Sequence, residues 1–192
     1  MDPGGEGSKP ALADDWPAKV LSFWFETLNA EDWFSGESRI DADVRERFRS
    51  LHEALQANPP VAKSMDARTL LATVLVFDQF SRNLVRGTVA AFSGDGEALQ
   101  LARHAVATGL DLTLGLDERK FIYMPFMHLE DPDDQTRSVE LFTALGDAEQ
   151  LHWAKHHRAL IDRFGRFPQR NEALGRTSTP QELAYLASLG ES

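Results

Sequence analysis

The segment Asp66-Ala67-Arg68-Thr69-Leu70-Leu71-Ala72-Thr73-Val74-Leu75-Val76-Phe77-Asp78-Gln79-Phe80-Ser81-Arg82-Asn83-Leu84-Val85-Arg86 carries the pattern from which the fold class follows. Its apolar residues recur at the three- and four-residue intervals of a helix, not at the two-residue alternation of a half-buried strand. Gly87 closes it. Its first half, with Leu70, Leu71, Val74 and Leu75, is apolar. In its second half Asp78, Gln79, Arg82 and Arg86 fall, at about 100° per residue, on the face that also carries Leu71 and Leu75. Polar groups thus enter a stripe that ought to be core.

Helical spacing extends in both directions from this third helix. Trp16, Val20, Leu21, Phe23, Trp24, Phe25 and Leu28 mark a first helix over about Asp15 to Thr27, and a second runs from about Ile40 to Ala57, ended by Asn58-Pro59-Pro60. A fourth, about Asp95 to Thr108, closes at Gly109, the left-handed position that glycine suits. A fifth covers about Asp117 to Glu130 with Pro125 inside it, and Asp131-Pro132 supplies the cap and first-turn proline of a sixth that ends at Gly146. The seventh, Asp147 to Phe164, precedes a break at Phe167-Pro168; the last opens on Thr179-Pro180-Gln181-Glu182, a capping box. No stretch sustains strand alternation, so the fold class is all-α. Short connections predict helical pairs, in a tetratricopeptide-like array of about eight antiparallel helices. Asp95, Glu97, Leu99, Ala102 and His104 recur 52 positions on as Asp147, Glu149, Leu151, Ala154 and His156. That offset is not the roughly 34 residues of a regular array, so a solenoid here would be degenerate.

A chain of 192 residues suits one domain, expected over 14–192 behind a flexible leader at 1–13 that holds Pro3, Gly4, Gly5, Gly7 and Pro10. The leader lacks the apolar run of a secretion signal. There is no cysteine, which excludes disulfides, thiolate catalysis and cysteine-ligated metal, and with the leader predicts a cytoplasmic protein. No apolar run approaches the roughly 20 residues that span a bilayer, so no membrane partner is expected. Thirty acidic against twenty basic residues give a net charge of −10, which repels phosphate backbones, and nucleic acid is not an expected partner. Locally the balance reverses: Arg163, Arg166, Arg170 and Arg176 are accompanied by one acid, Glu172. Nothing in the pattern fixes an oligomeric state.

Several polar residues break the apolar faces. Asp78 and Arg82 are four apart in the acid-first order that pairs, either as a structural ion pair between helices or as part of a ligand site. On the seventh helix Trp153, Ala154, Leu160, Ile161 and Phe164 form an apolar arc with His157 in its middle, a core histidine or an acid–base group. His152 and His156 share the polar flank with Arg163; two ligands without a third predict no metal site. Pro125 removes a hydrogen bond from a carbonyl near Phe121, and the kink it predicts can open a cleft beside His128. Glu130, Asp131, Asp133 and Asp134 gather where a helix start uses carboxylates for capping. Arg163-Phe164-Gly165-Arg166-Phe167 interleaves bases and aromatics in one short cluster.

The runs Phe23-Trp24-Phe25, Phe77 to Asn83, Arg86-Gly87-Thr88, Tyr123 to His128 and Arg163 to Pro168 resemble the bacterial proteins of domain-of-unknown-function 924, and the likeness covers nearly the whole chain from about Val20. The resemblance implies a tetratricopeptide-like helical array and a shared polar set, but no reaction, substrate or cofactor. Two positions depart from the family pattern: Leu129 stands where a serine is expected, and Gln169 where a histidine is expected.

The expected working surface is therefore the inner face of the array. There Asp78, Gln79, Arg82, Asn83, Arg86, His128, Glu130, His157, Arg163, Arg166, Arg170 and Asn171 would surround a small anionic ligand or a peptide terminus, gripped by guanidinium forks. No cofactor is expected. The rival expectation is a hydrolase-like enzyme with His128 or His157 as general base beside Asp78 or Glu130. A third is an interaction scaffold with an exposed apolar groove to which Trp33-Phe34 contribute.

Overall fold

Local signals set where each helix starts and stops. In the computed structural model, which describes residues 12–190, α1 (Trp16–Ser22) runs directly into a π turn at Phe23–Thr27. α2 (Ala30–Trp33) is a single turn opened by a capping box between Asn29 and Asp32. α3 (Ser38–Ala57) follows, and then α4 (Ala67–Leu75), whose Thr69 N–H donates to the Asp66 cap. α4 continues through a second π turn, Val76–Phe80, into α5 (Ser81–Leu84). α6 (Asp95–Thr108) ends at Gly109 with φ 73, α7 (Leu116–His128) passes without interruption through Pro125, and α8 (Pro132–Leu145) starts on the Asp131 cap. α9 (Ala148–Phe164) and α10 (Pro180–Leu189) complete the chain, the latter on the Thr179 cap. Among the described residues there is no strand, and the fold is all-α.

The expected leader at 1–13 lies, for residues 1–11, outside the described residues. The third helix of the sequence reading is three pieces, α4, a π turn and α5, and it stops at Leu84 rather than Arg86. α2 has no counterpart in that reading, because a four-residue turn shows no periodicity.

Packing follows chain order: α1 lies on α4, α3 on α5, α4 on α6, α6 on α7, α7 on α8 and α8 on α9. Every residue from Leu70 to Ser81 is buried, so α4 and its π turn form a central rod that touches neighbours on all sides. The two π turns meet there: the Phe80 ring lies 6.2 Å from Phe23, 5.7 Å from Trp24 and 4.9 Å from Phe48. A smaller cluster, Leu160, Ile161 and Phe167 with Phe164 and Tyr185, packs the 165–189 region onto the end of α9. Trp153, expected on the apolar arc of α9, is instead 46 % exposed, because the α9 face that meets the core is centred on Ala154 and Ile161. His157 is correspondingly half-buried at the edge of that face rather than in the core. No helix among the described residues is long and apolar enough to cross a membrane.

Candidate functional site

The second π turn places a carboxylate where a regular helix would bury a hydrocarbon. Single π turns inside α-helices are rare and are frequently found at functional sites. Asp78 sits in the middle of the turn, 1 % exposed. Such a charge is tolerated only when its lone pairs are satisfied. Oδ1 accepts from His128 Nδ1 at 2.6 Å and from Arg82 Nη1 at 3.0 Å, and Oδ2 accepts from Gln79 Nε2 at 2.6 Å. Arg82 Nη1 donates to the Asp78 carbonyl as well. Burial pushes the Asp78 carboxyl up, but the Arg82 and His128 charges outweigh it and hold the group well below the usual carboxylate range. An ionised Asp78 accepts only, which assigns the proton to His128 Nδ1 and leaves Nε2 without a partner among the described residues.

The network continues through a second buried acid. Arg82 Nη2 lies 3.0 Å from Asp95 Oδ1, an ion pair without hydrogen-bond alignment, and Arg170 Nη1 donates to Asp95 Oδ2 at 3.3 Å. Burial drives the Asp95 carboxyl above its ordinary value; Arg82 opposes this and the negative charge of Asp78 reinforces it. Asp95 reaches this place because the residue before it is glycine. A Cβ on Gly94 would stand 2.5 Å from the Phe77 carbonyl oxygen, so only glycine lets the start of α6 press against the π turn. Arg170 is held by rings on two sides, its guanidinium carbon 4.5 Å from the Phe92 centroid and 4.8 Å from that of Phe167.

Beside Asp78 opens a cleft of about 240 Å³. Gln79, Arg82, Asn83, Arg86, Met124 and His128 line one wall, and Asp32, Trp33, Phe34, Gly36, Glu37 and Ile40 the other. Arg86 is fixed at the mouth by a two-pronged contact with Asp41, at 3.1 Å and 2.8 Å, and Asn83 Nδ2 donates to the same carboxylate at 2.8 Å. Its side chain remains 51 % exposed.

Residues 20–190 match the family described as bacterial protein of unknown function, DUF924. The chain belongs to that family. A solved structure of a protein of unknown function from Agrobacterium tumefaciens is 37 % identical, covers 88 % of this chain and 96 % of its own, and superimposes with a TM-score of 0.84. No curated protein matches the chain.

In this DUF924 chain the residues expected to form one site part into three groups. Asp78, Gln79, Arg82, Asn83, Arg86 and His128 gather at the cleft. His157 and Arg170 lie at the other end of the charge network and line a separate opening, with the His157 ring 6.4 Å from that of His128. Burial lowers the His157 pKa to about 4.

Glu130, Arg163, Arg166 and Asn171 line neither opening. Glu130 accepts from both Nη atoms of Arg176 and from the Phe167 N–H, and Arg166 grips Glu182 at 2.7 and 2.8 Å and the Thr177 carbonyl at 2.9 Å. Asn171, 1 % exposed, donates to Ser178 Oγ, while Arg163 is exposed with its guanidinium 4.6 Å over the Phe164 ring. Glu130 and Arg166 thus fasten the 165–178 segment to the helices, and the Asn171 amide N–H braces that segment internally; these bonds serve the fold rather than a cleft. Of the two departures from the family pattern, Leu129 packs against the main core and Gln169 donates to the Tyr185 hydroxyl.

Of the acids that hold the site's arginines, two escaped the sequence reading, Asp41 and Asp95. Each stands in the first turn of a helix, where the macrodipole already explains a carboxylate. Only their distant partners mark them as anything more.

Proposed function

We propose that this chain is a cytoplasmic binding protein that takes a small anionic molecule, or the carboxylate end of a peptide, into the cleft beside Asp78. The observation that carries this reading is the convergence of His128 from α7 with Arg82 and Arg86 from the 81–86 region on one opening of about 240 Å³. Asp78, Asp95 and Asp41 hold the two guanidinium groups in place, so little side-chain entropy is left to lose when a ligand arrives. The size suits a compact acid rather than a drug-sized molecule. Trp33, Phe34 and Ile40 offer its carbon skeleton an apolar wall.

Fluorometric melting against millimolar phosphate, nucleotides, small carboxylates and a dipeptide tests the reading. A ligand present at about ten times its dissociation constant stabilises by about 1.4 kcal/mol and raises Tm by about 3–5 °C for a chain of this size. Arg86→Leu, at a half-exposed position, should fold normally and lose that rise. No shift with any member of the panel overturns the reading.

A second reading, a hydrolase-like enzyme, draws on the 2.6 Å contact between His128 Nδ1 and Asp78. The carboxylate holds the Nδ1 proton and fixes the ring, while Nε2 can take a proton from water attacking a bound ester or amide. Turnover of chromogenic phosphate esters or anilides that His128→Gln abolishes would support this reading; absence of turnover across both classes removes it.

A further inference from the structure

We propose a second, separate ligand site on the α9 side of the charge network, shaped for a planar aromatic carboxylate. The opening there has a volume of about 320 Å³ and is lined by Trp153, His157, Phe167, Gln169 and Arg170 among others. None of it belongs to the cleft beside Asp78.

Three features of this opening offer unused contacts to a ligand. First, Trp153 is 46 % exposed and its indole N–H has no acceptor among the described residues. Indole surface left in water is unfavourable unless something covers it, and here the ring is steadied at its sides by His152 and His156, with centroids 5.6 and 5.9 Å away. Second, Arg170 uses Nη1 on Asp95 while its other N–H groups meet no acceptor among the described residues, although Phe92 and Phe167 fix the plane of the guanidinium. A rigid fork with spare donors is what a carboxylate takes up. Third, His157 Nδ1 faces the Trp153 carbonyl at 2.9 Å, which orients the ring and leaves Nε2 as an acceptor for a hydroxyl or amino substituent.

Charge favours the same occupant. On a protein of net charge −10, the residues that line this opening include one cation, Arg170, and no carboxylate. A cation among lining residues free of carboxylates favours an anion in the opening. The ring of the ligand would lie against Trp153 and the Phe167 edge, with its carboxylate on Arg170.

Calorimetric titration with benzoate and with cyclohexanecarboxylate, of equal charge and similar bulk, tests the site. The aromatic acid should bind and quench tryptophan fluorescence, and the saturated acid should bind about tenfold more weakly, having no π face to stack. Trp153→Ala, at an exposed position, should fold normally and weaken the aromatic acid by a similar factor. Arg86→Leu should leave that affinity unchanged, which separates this site from the cleft beside Asp78. The proposal is overturned if neither acid binds at millimolar concentration, if both bind equally, or if Trp153→Ala binds as tightly as the parent.

Discussion

Replacing Asp78 by Asn probes the charge network with the least steric change. The two side chains have nearly the same shape, so no cavity forms, and the effect is confined to charge and hydrogen bonding. Asp78 is 1 % exposed and takes donors from His128, Arg82 and Gln79. An amide offers one acceptor in place of two and turns an N–H group toward another donor. Removing one partner of a buried ion pair costs about 3–5 kcal/mol. Asp95 stays 3.0 Å from Arg82 and continues to neutralise it, which puts the expected loss at the lower end, about 3 kcal/mol. In a chain of this length that corresponds to a fall in Tm of about 6–12 °C.

Acid denaturation supplies a second readout. Because Arg82 and His128 hold the Asp78 carboxyl low, its contribution is complete above the unfolded carboxylate value of about 4 and disappears as pH falls toward the folded value. The Asn variant should therefore lose the steepest part of the acid limb. Asp95, whose carboxyl is raised by burial and in part by the Asp78 charge, acts in the opposite sense, and the Asn variant relieves the part that Asp78 supplies. Urea titration at neutral pH and between pH 5 and the acid limit measures both effects. If Asp78→Asn stays within about 0.5 kcal/mol of the parent and keeps its acid limb, the buried network does not stabilise the fold as argued.

Gly94→Ala should destabilise by about 1–3 kcal/mol, because the added methyl meets backbone at Phe77 rather than a side chain able to rotate away; urea titration measures this, and backbone amide shifts in α6 and the 76–80 turn should change together. His157, lowered to about 4 by burial, should stay neutral while the unfolded ring titrates near 6.5, so stability is full above about pH 6.5 and falls between there and about pH 4. His157→Gln should remove that part of the slope, and an NMR titration in which the His157 ring protonates near 6.5 would contradict the burial argument.

Most of the fold was legible because helix ends are chosen by one or two residues. Asp66, Asp131, Asp147 and Thr179 accept the first free N–H groups of their helices within three positions of themselves, and Gly109, Gly146 and Gly165 adopt positive φ where α6, α8 and α9 stop. The site was legible only in part. Asp78 and Arg82 share a face at local spacing, and the sequence reading placed them together. The same uniform 100° step put Arg86 with them, and it does line the cleft, but beyond the helix end at Leu84 its guanidinium pairs with Asp41 rather than with Asp78.

From the sequence alone come the all-α class, the caps and the oily face interrupted by charge, all of them effects that act within a turn or two of chain. Tertiary structure alone decided which charges meet. His128 reaches Asp78 across 50 positions, Arg86 reaches Asp41 across 45, and Arg170 reaches Asp95 across 75. It likewise decided that Glu130 and Arg166 close a loop instead of lining a cleft. Electrostatic and ring contacts depend on distance in space, and periodicity along the chain carries no record of which helix comes to lie beside which.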